Sequence, residues 1–149
     1  MRSNGVDRGC VLDSSAALAL TLEEPSAAAA ARLVASLSLG PARLVAPPLF
    51  DVECASGFVQ AVRRGRLEAE TGAAALIRTL QLPVERLPSP ASAFAALGLA
   101  LKYGISAYDA VYVALAAEER LPLVTADARL VRALAGSPHA VLHLDDVEF

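Results

Sequence analysis

Val11-Leu-Asp-Ser-Ser-Ala-Ala-Leu-Ala-Leu-Thr-Leu22 carries the reading on which the fold turns. Val11-Leu12 is a short buried run that ends at Asp13. Ser14 and Ser15 then supply caps for a helix expected from about Ala16 to Leu22. A strand that hands over directly to a helix, with an acid at the junction, is the opening half of a β–α unit. Leu123-Val-Thr-Ala-Asp127 repeats the pattern near the other end of the chain, within a strand expected over Leu121 to Thr125, and a helix follows from Ala128 to Ala135.

The residues between fill in the same alternation. Pro25 sits where a proline suits a helix start, ahead of an alanine-rich helix over Ser26 to Leu37 that Gly40-Pro41 stops. Arg43 to Ala46 reads as a second strand closed by Pro47-Pro48, followed by helices from about Leu49 to Arg64 and Leu67 to Leu80. Val84 to Leu87 is a third strand, and Ala91 to Tyr103 is a helix with Phe94, Leu97 and Leu101 at helical spacing. Ser106-Ala-Tyr-Asp109 resembles a capping box in which aspartate replaces the usual glutamate, opening a helix to about Glu119. Ala140 to Leu144 is a fifth strand. Five short strands separated by helices predict a three-layer α/β/α sandwich with a mostly parallel central sheet.

A length of 149 residues holds one domain. It is expected to run from 1 to 149, with a polar N-terminal extension over 1–9 and an acidic tail over 145–149. Hydrophobic types at 55% and charged types at 19% exclude a disordered chain. Two cysteines, Cys10 and Cys54, are too few for a disulfide scaffold and read as buried small hydrophobes. Apolar runs such as Ala27 to Ala31 are broken well short of a membrane span, and the first residues lack a secretion signal. A soluble, cytoplasmic location is therefore expected.

Four acids interrupt apolar stretches near strand ends or helix starts: Asp13, Glu53, Asp109 and Asp127. Singly, each reads equally well as a helix cap that favours the dipole. Together at the carboxyl edge of a parallel sheet, where ligands bind, they repel one another unless a cation lies among them. His139 and His143 lack zinc spacing with the cysteines, and an all-oxygen donor set selects hard cations, Mg²⁺ or Mn²⁺. Such a site suits hydrolysis of a phosphodiester by a metal-activated water. The net charge of −3 would itself repel a polyanion, but it becomes +1 once the four acids are set aside.

The segments Val11-Leu-Asp-Ser-Ser15, Pro48-Leu-Phe-Asp-Val-Glu53, Ile105-Ser-Ala-Tyr-Asp-Ala-Val-Tyr-Val-Ala-Leu-Ala116 and Leu123-Val-Thr-Ala-Asp127 together resemble, in order, the signature blocks of PIN-domain ribonucleases. Among these the chain is most similar to the VapC-type toxins of bacterial toxin–antitoxin pairs. The resemblance implies a metal-dependent endoribonuclease. In it Asp13, Glu53, Asp109 and Asp127 hold Mg²⁺, with Mn²⁺ able to substitute, and Thr125 orients an acid or water. It also implies an RNA substrate such as tRNA or rRNA, a homodimer, and inhibition by a VapB-type antitoxin. Ser15 matches a small hydroxyl often found after the first aspartate. Ser56 stands where family members often carry asparagine.

Arg129 and Arg132, just past Asp127, are candidate substrate contacts, as is Ser15. Arg63-Arg64-Gly65-Arg66 is the densest basic cluster; phosphate binding and salt bridges to an acidic antitoxin segment compete there with a solvated helix end. Tyr108 and Tyr112 flank Asp109 as base-stacking or packing residues, Asp51 is expected to cap a helix, and Asp145, Asp146 and Glu148 to be solvated. Phe94, Leu97, Leu101, Leu33 and Leu76 exceed what one small core absorbs and suggest a partner surface. A PIN-fold binding module without activity is the rival reading. A receiver-like domain is disfavoured because Val84-Glu-Arg-Leu87 lacks an aspartate, and a haloacid-dehalogenase-like phosphatase because Ser15 stands where it needs aspartate.

Overall fold

A computed structural model describes residues 6–89 and 92–148. Its strands are β1 (Gly9–Leu12), β2 (Arg43–Ala46), β3 (Val84–Arg86), β4 (Leu123–Thr125) and β5 (Val141–His143). They form one sheet in the order β3-β2-β1-β4-β5. Every pairing is parallel, one step beyond the mostly parallel sheet expected. The chain builds outward from β1 through β2 to β3, then returns to add β4 and β5 on the other flank. The order therefore reverses between β1 and β4, and a crevice opens at the carboxyl ends of those two strands.

The helices are α1 (Ser14–Thr21), α2 (Ala27–Ser38), α3 (Leu49–Arg63), α4 (Ala69–Leu80), α5 (Ser92–Tyr103), α6 (Ala107–Glu119) and α7 (Ala128–Ala133). They cover both faces of the sheet in three α/β/α layers. Ser14 and Ser15 lie inside α1, and Asp13 itself occupies the N-cap, so the helix starts two residues earlier than expected. Among the described residues, no helix is long and apolar enough to cross a membrane.

Burial explains why these short strands suffice. Val11, Val45, Leu123 and Val124 are completely enclosed, as apolar runs in a doubly covered parallel sheet must be. Cys10 and Cys54 lie in the same core, where burial pushes both thiols up to about 12 and keeps them neutral. Leu33 also packs fully into the core and does not join a partner surface; Leu76 is half-buried. Phe94, Leu97 and Leu101 do stand exposed on α5. The acidic tail is partly held down: a 3-10 turn over Leu144–Asp146 buries Leu144, and Val147 is buried beyond it, while Asp145, Asp146 and Glu148 face solvent. The N-terminal extension enters the described chain as a 3-10 turn at Val6–Arg8; positions 1–5, 90, 91 and 149, including the expected helix start at Ala91, lie outside the described residues.

Two glycines set close approaches. Gly57 of α3 faces Leu18 of α1, where an added Cβ would meet Leu18 Cδ1 at 2.4 Å, so α1 settles onto α3 and carries its N-terminus toward Glu53. Gly9 has φ +117°, and a Cβ there would lie 2.0 Å from the Arg43 carbonyl oxygen in the neighbouring strand. Gly9→Ala combines left-handed strain with a clash against backbone that cannot rotate away. We expect it to destabilise the chain by about 3 kcal/mol or more, read as a lower urea midpoint at unchanged m-value.

Candidate active site

The crevice between β1 and β4 is centred on Asp13. Its backbone N–H donates to the Val124 carbonyl at 3.0 Å, which ties the residue after β1 to β4. The residue is 5% exposed. Oδ2 accepts the Ser15 hydroxyl at 2.6 Å and the Thr125 hydroxyl at 2.7 Å. Those hydroxyls lie 3.1 Å from each other and are fixed in turn by the next loop: the Ala126 N–H donates to Ser15 Oγ and the Asp127 N–H to Thr125 Oγ1, both at 3.0 Å. Ser15, expected at the substrate, thus spends its hydroxyl on Asp13 while still lining the open groove beside it.

Glu53 arrives on the second turn of α3 and is anchored from α6. The Tyr112 hydroxyl donates to Glu53 Oε2 at 2.5 Å, and Ser14 Oγ reaches the same oxygen at 3.5 Å. Tyr112 is completely buried, so it is neither a stacking platform nor mere packing; it holds an acid in place. Sequence reading missed this because the partners are 59 positions apart. The only signal was a hydroxyl on the apolar side of α6, three residues after Asp109. Tyr108, by contrast, is exposed.

Asp109 stands in the first turn of α6, where its N–H donates to the N-cap Ser106 hydroxyl at 3.0 Å. The capping half of the expected box therefore forms, and the half-buried Asp109 carboxylate faces back toward Ser106, whose hydroxyl and N–H favour its charged form. Asp127 is the N-cap of α7 and accepts the Arg129 N–H at 2.8 Å. The Arg129 side chain is 86% exposed, with Nε 3.7 Å from Asp127 Oδ1. Arg132 is exposed and partnerless among the described residues. Asp51, expected as a cap, instead pairs with Arg86 at 2.8 Å, away from the acids.

The acids share one electrostatic environment. Burial pushes the Asp13 carboxyl up from its ordinary value, and the Asp109 charge adds to that, against the two hydroxyls that favour the anion. Burial likewise raises Glu53, opposed by the Tyr112 hydrogen bond and reinforced by Asp13 and Asp109. Asp109 is raised by burial first and by Asp127 further. Apart from Arg129, which lowers Asp109, no cation acts on these three groups among their principal influences.

This donor set fits a hard divalent cation in its chemistry: oxygen ligands only, mutual repulsion, and no lysine or arginine to neutralise the buried members. As the side chains stand, however, no three His, Cys, Asp or Glu residues among those described close round a common point. No hydroxyl of the described residues bonds Oδ1 of Asp13 or Oε1 of Glu53, so each keeps an oxygen clear of these anchors. His143 is not a further ligand. Its Nε2 meets the Ala126 carbonyl oxygen at 3.3 Å and its Nδ1 accepts the Asp145 N–H at 3.2 Å.

Comparison with known proteins gives a consistent picture. The PIN domain family matches residues 10–135. Ribonuclease VapC12 of Mycobacterium tuberculosis (strain ATCC 25618 / H37Rv) is 36% identical over 122 residues, covering 82% of this chain and 89% of that protein. Ribonuclease VapC9 of the same strain is 41% identical over 125 residues, covering 80% and 87%. The crystal structure of PAE2754 from Pyrobaculum aerophilum superposes with a TM-score of 0.66 at 21% identity, over 91% of this chain and 90% of that one. A toxin–antitoxin complex from Klebsiella pneumoniae gives 0.62 at 18% identity, over 91% and 98%. At such identities these two structures speak for the fold.

Because the folded state holds the Asp13 proton more tightly than the unfolded chain, this group favours folding in acid. That contribution is lost as pH rises through its raised value. Asp13→Asn removes the charge and keeps an oxygen acceptor for the two hydroxyls. In metal-free buffer it should melt several degrees above the parent near pH 8, where about 2–4 °C corresponds to 1 kcal/mol in a chain of this size. The difference should shrink toward about pH 4. Thermal melts of both proteins across that range check it.

Proposed function

The chain belongs to the PIN-domain family, and from that membership we infer that it is a VapC-type endoribonuclease, the toxin of a toxin–antitoxin pair. The single observation that carries the reading is the Asp13 carboxylate, buried without a cation at the β1/β4 switch point and coupled electrostatically to Glu53 and Asp109. The relatives named ribonucleases, at 36% and 41% identity over most of their length, supply the RNA-cleaving chemistry. A binding module without activity would have no use for an uncompensated buried acid.

Asp13, Glu53, Asp109 and Asp127 are the proposed holders of Mg²⁺, for which Mn²⁺ substitutes. Bound there, the ion would lower the pKa of a water and neutralise charge developing on the phosphate. The protein's own contribution is orientation. Ser15 and Thr125 fix the Asp13 carboxylate from one side, and Tyr112 fixes Glu53 from the other. Asp127 adds negative charge beside Asp109 at the mouth of the site. Arg129, close enough to Asp127 to move with it, is the proposed contact for an RNA phosphate, with Arg132 one turn further on.

The toxin reading brings a VapB-type antitoxin as partner and a cytoplasmic location, since its RNA lies there. The exposed Phe94, Leu97 and Leu101 on α5 suit a homodimer contact. Among substrates, tRNA or rRNA is proposed.

Two experiments test this reading. The purified chain with Mg²⁺ or Mn²⁺ should cut total cellular RNA into discrete fragments, and both EDTA and Asp109→Asn should abolish the cuts. A folded chain that leaves RNA intact under all metals would return the binding module to first place. Tyr112→Phe removes one hydrogen bond to a charged acceptor and leaves the ring packed. It should lower kcat about tenfold, within the range for such bonds, with little change in melting temperature.

A further inference from the structure

α3 does more than deliver Glu53. Residues three, four, seven and eleven positions on fall on the same helical face, which gives Ser56, Gly57, Gln60 and Arg64. All of these line one groove of about 460 Å³, together with Ser15 and Asp127 at its acidic end and Arg66 beyond the helix. The groove therefore has a polarity. Arg64 caps the C-terminus of α3, 11 residues after Glu53 and about 16 Å along the helix axis.

The two arginines at the far end differ. Arg66 is 3.3 Å from Glu24, which also lines the groove, so it already has an acidic partner within the protein. The Arg64 guanidinium makes no hydrogen bond or ion pair with any described residue. Arg63, its neighbour in sequence, turns to a different, apolar depression between α3 and α4, lined by Phe58, Val59 and Leu76. The cluster that looked uniform in sequence is thus divided by helical phase: one arginine faces the acids down a groove, and another faces away.

We propose that Arg64, assisted by Arg66, binds a backbone phosphate of the RNA strand, one or more nucleotides away from the bond that is cut. This rests on the ribonuclease reading and adds a specific anchoring subsite to it. A guanidinium with its donors free suits a phosphate, and the separation from Glu53 is too long for the scissile group itself. The polar floor of Ser56 and Gln60 gives the intervening nucleotide hydroxyl and amide partners. A cation among the acids would draw either an acidic protein segment or a nucleic acid to that end. The ribonuclease reading selects the nucleic acid, whose regularly spaced phosphates let one meet the acidic end while another meets Arg64. Glu24 moderates the site by competing for Arg66.

The test is binding of a short fluorescein-labelled single-stranded RNA of mixed sequence. The host is the Asp109→Asn chain in EDTA, so that the RNA stays whole, and anisotropy is read against salt. Arg64→Ala should weaken binding about fivefold and flatten the slope of log K against log salt by about 0.7, the value for one phosphate contact on a single strand. Arg63→Ala should leave both unchanged, and Glu24→Gln should tighten binding about twofold. In the active chain, Arg64→Ala should raise KM with kcat nearly unchanged, and its melting temperature should match the parent. Equal affinity and slope for Arg64→Ala and the host would overturn the assignment, as would an equal loss from Arg63→Ala. So would a poly-glutamate peptide that binds through Arg64 while RNA binding is indifferent to it. A parent that neither binds nor cuts RNA would bring down the ribonuclease reading itself, an outcome distinct from failure of Arg64 alone.

Discussion

A carboxylate sealed between two hydroxyls at the end of a strand is the constraint from which the rest of this molecule follows. Burying Asp13 without a cation opposes folding, and the surrounding structure has to offset that cost. It does so with hydrogen bonds from groups that are themselves fixed. Ser15 comes from the first turn of α1 and Thr125 from the end of β4, and each is held by a backbone N–H of the loop that carries Asp127. The clamp therefore requires β1 and β4 to be neighbours in register. That adjacency is created by the reversal of strand order, so the topology of the sheet and the position of the acid are one fact seen at two scales.

Packing elsewhere serves the same end. Gly57 lets α1 lie against α3, which brings Ser14 within reach of Glu53. Tyr112 closes the arrangement from α6, so three helices and two strands meet on two carboxylates. None of these contacts neutralises charge; they only orient it. A site organised in this way stores repulsion among Asp13, Glu53 and Asp109 in the folded protein, and a divalent cation is the group whose binding would release it. Asp13 is buried while Glu53 and Asp109 are half-exposed, so the first is reached only through the crevice and the others line its mouth, each steadied by a hydroxyl, Glu53 by Tyr112 and Asp109 by Ser106.

The sequence made much of this legible where local rules decide. Strand-then-acid at Asp13 and Asp127 placed both on one edge of the sheet, and Ser106 capping α6 placed Asp109 in a first turn. It was silent where the partners come from distant segments. Nothing near Tyr112 points to Glu53, because a tyrosine on an apolar helix reads equally as core until tertiary structure supplies the acceptor. Asp51, in the first turn of α3, read as a cap because Arg86 lies 35 positions away on β3. Leu33 read as surplus because an alanine-rich helix gives little hint of how deeply its few large side chains sink. The four acids were found as types and positions. That they share one electrostatic field, yet do not enclose a point as they stand, needed coordinates.

The arginine cluster shows how helical phase converts a charge run into direction. As a composition feature, Arg63-Arg64-Gly65-Arg66 is a basic helix end that the dipole alone accounts for. Counted from Glu53, Arg64 falls within about 20° of the acid's own face while Arg63 lies about 80° round the helix. One helix and its C-cap thus carry a metal-type donor and a phosphate-type donor along a single groove, with small or polar residues between them. For a net charge of −3 this matters more than the total. A polyanion is drawn in by where the cations stand relative to the acids, and α3 sets that spacing by its pitch alone.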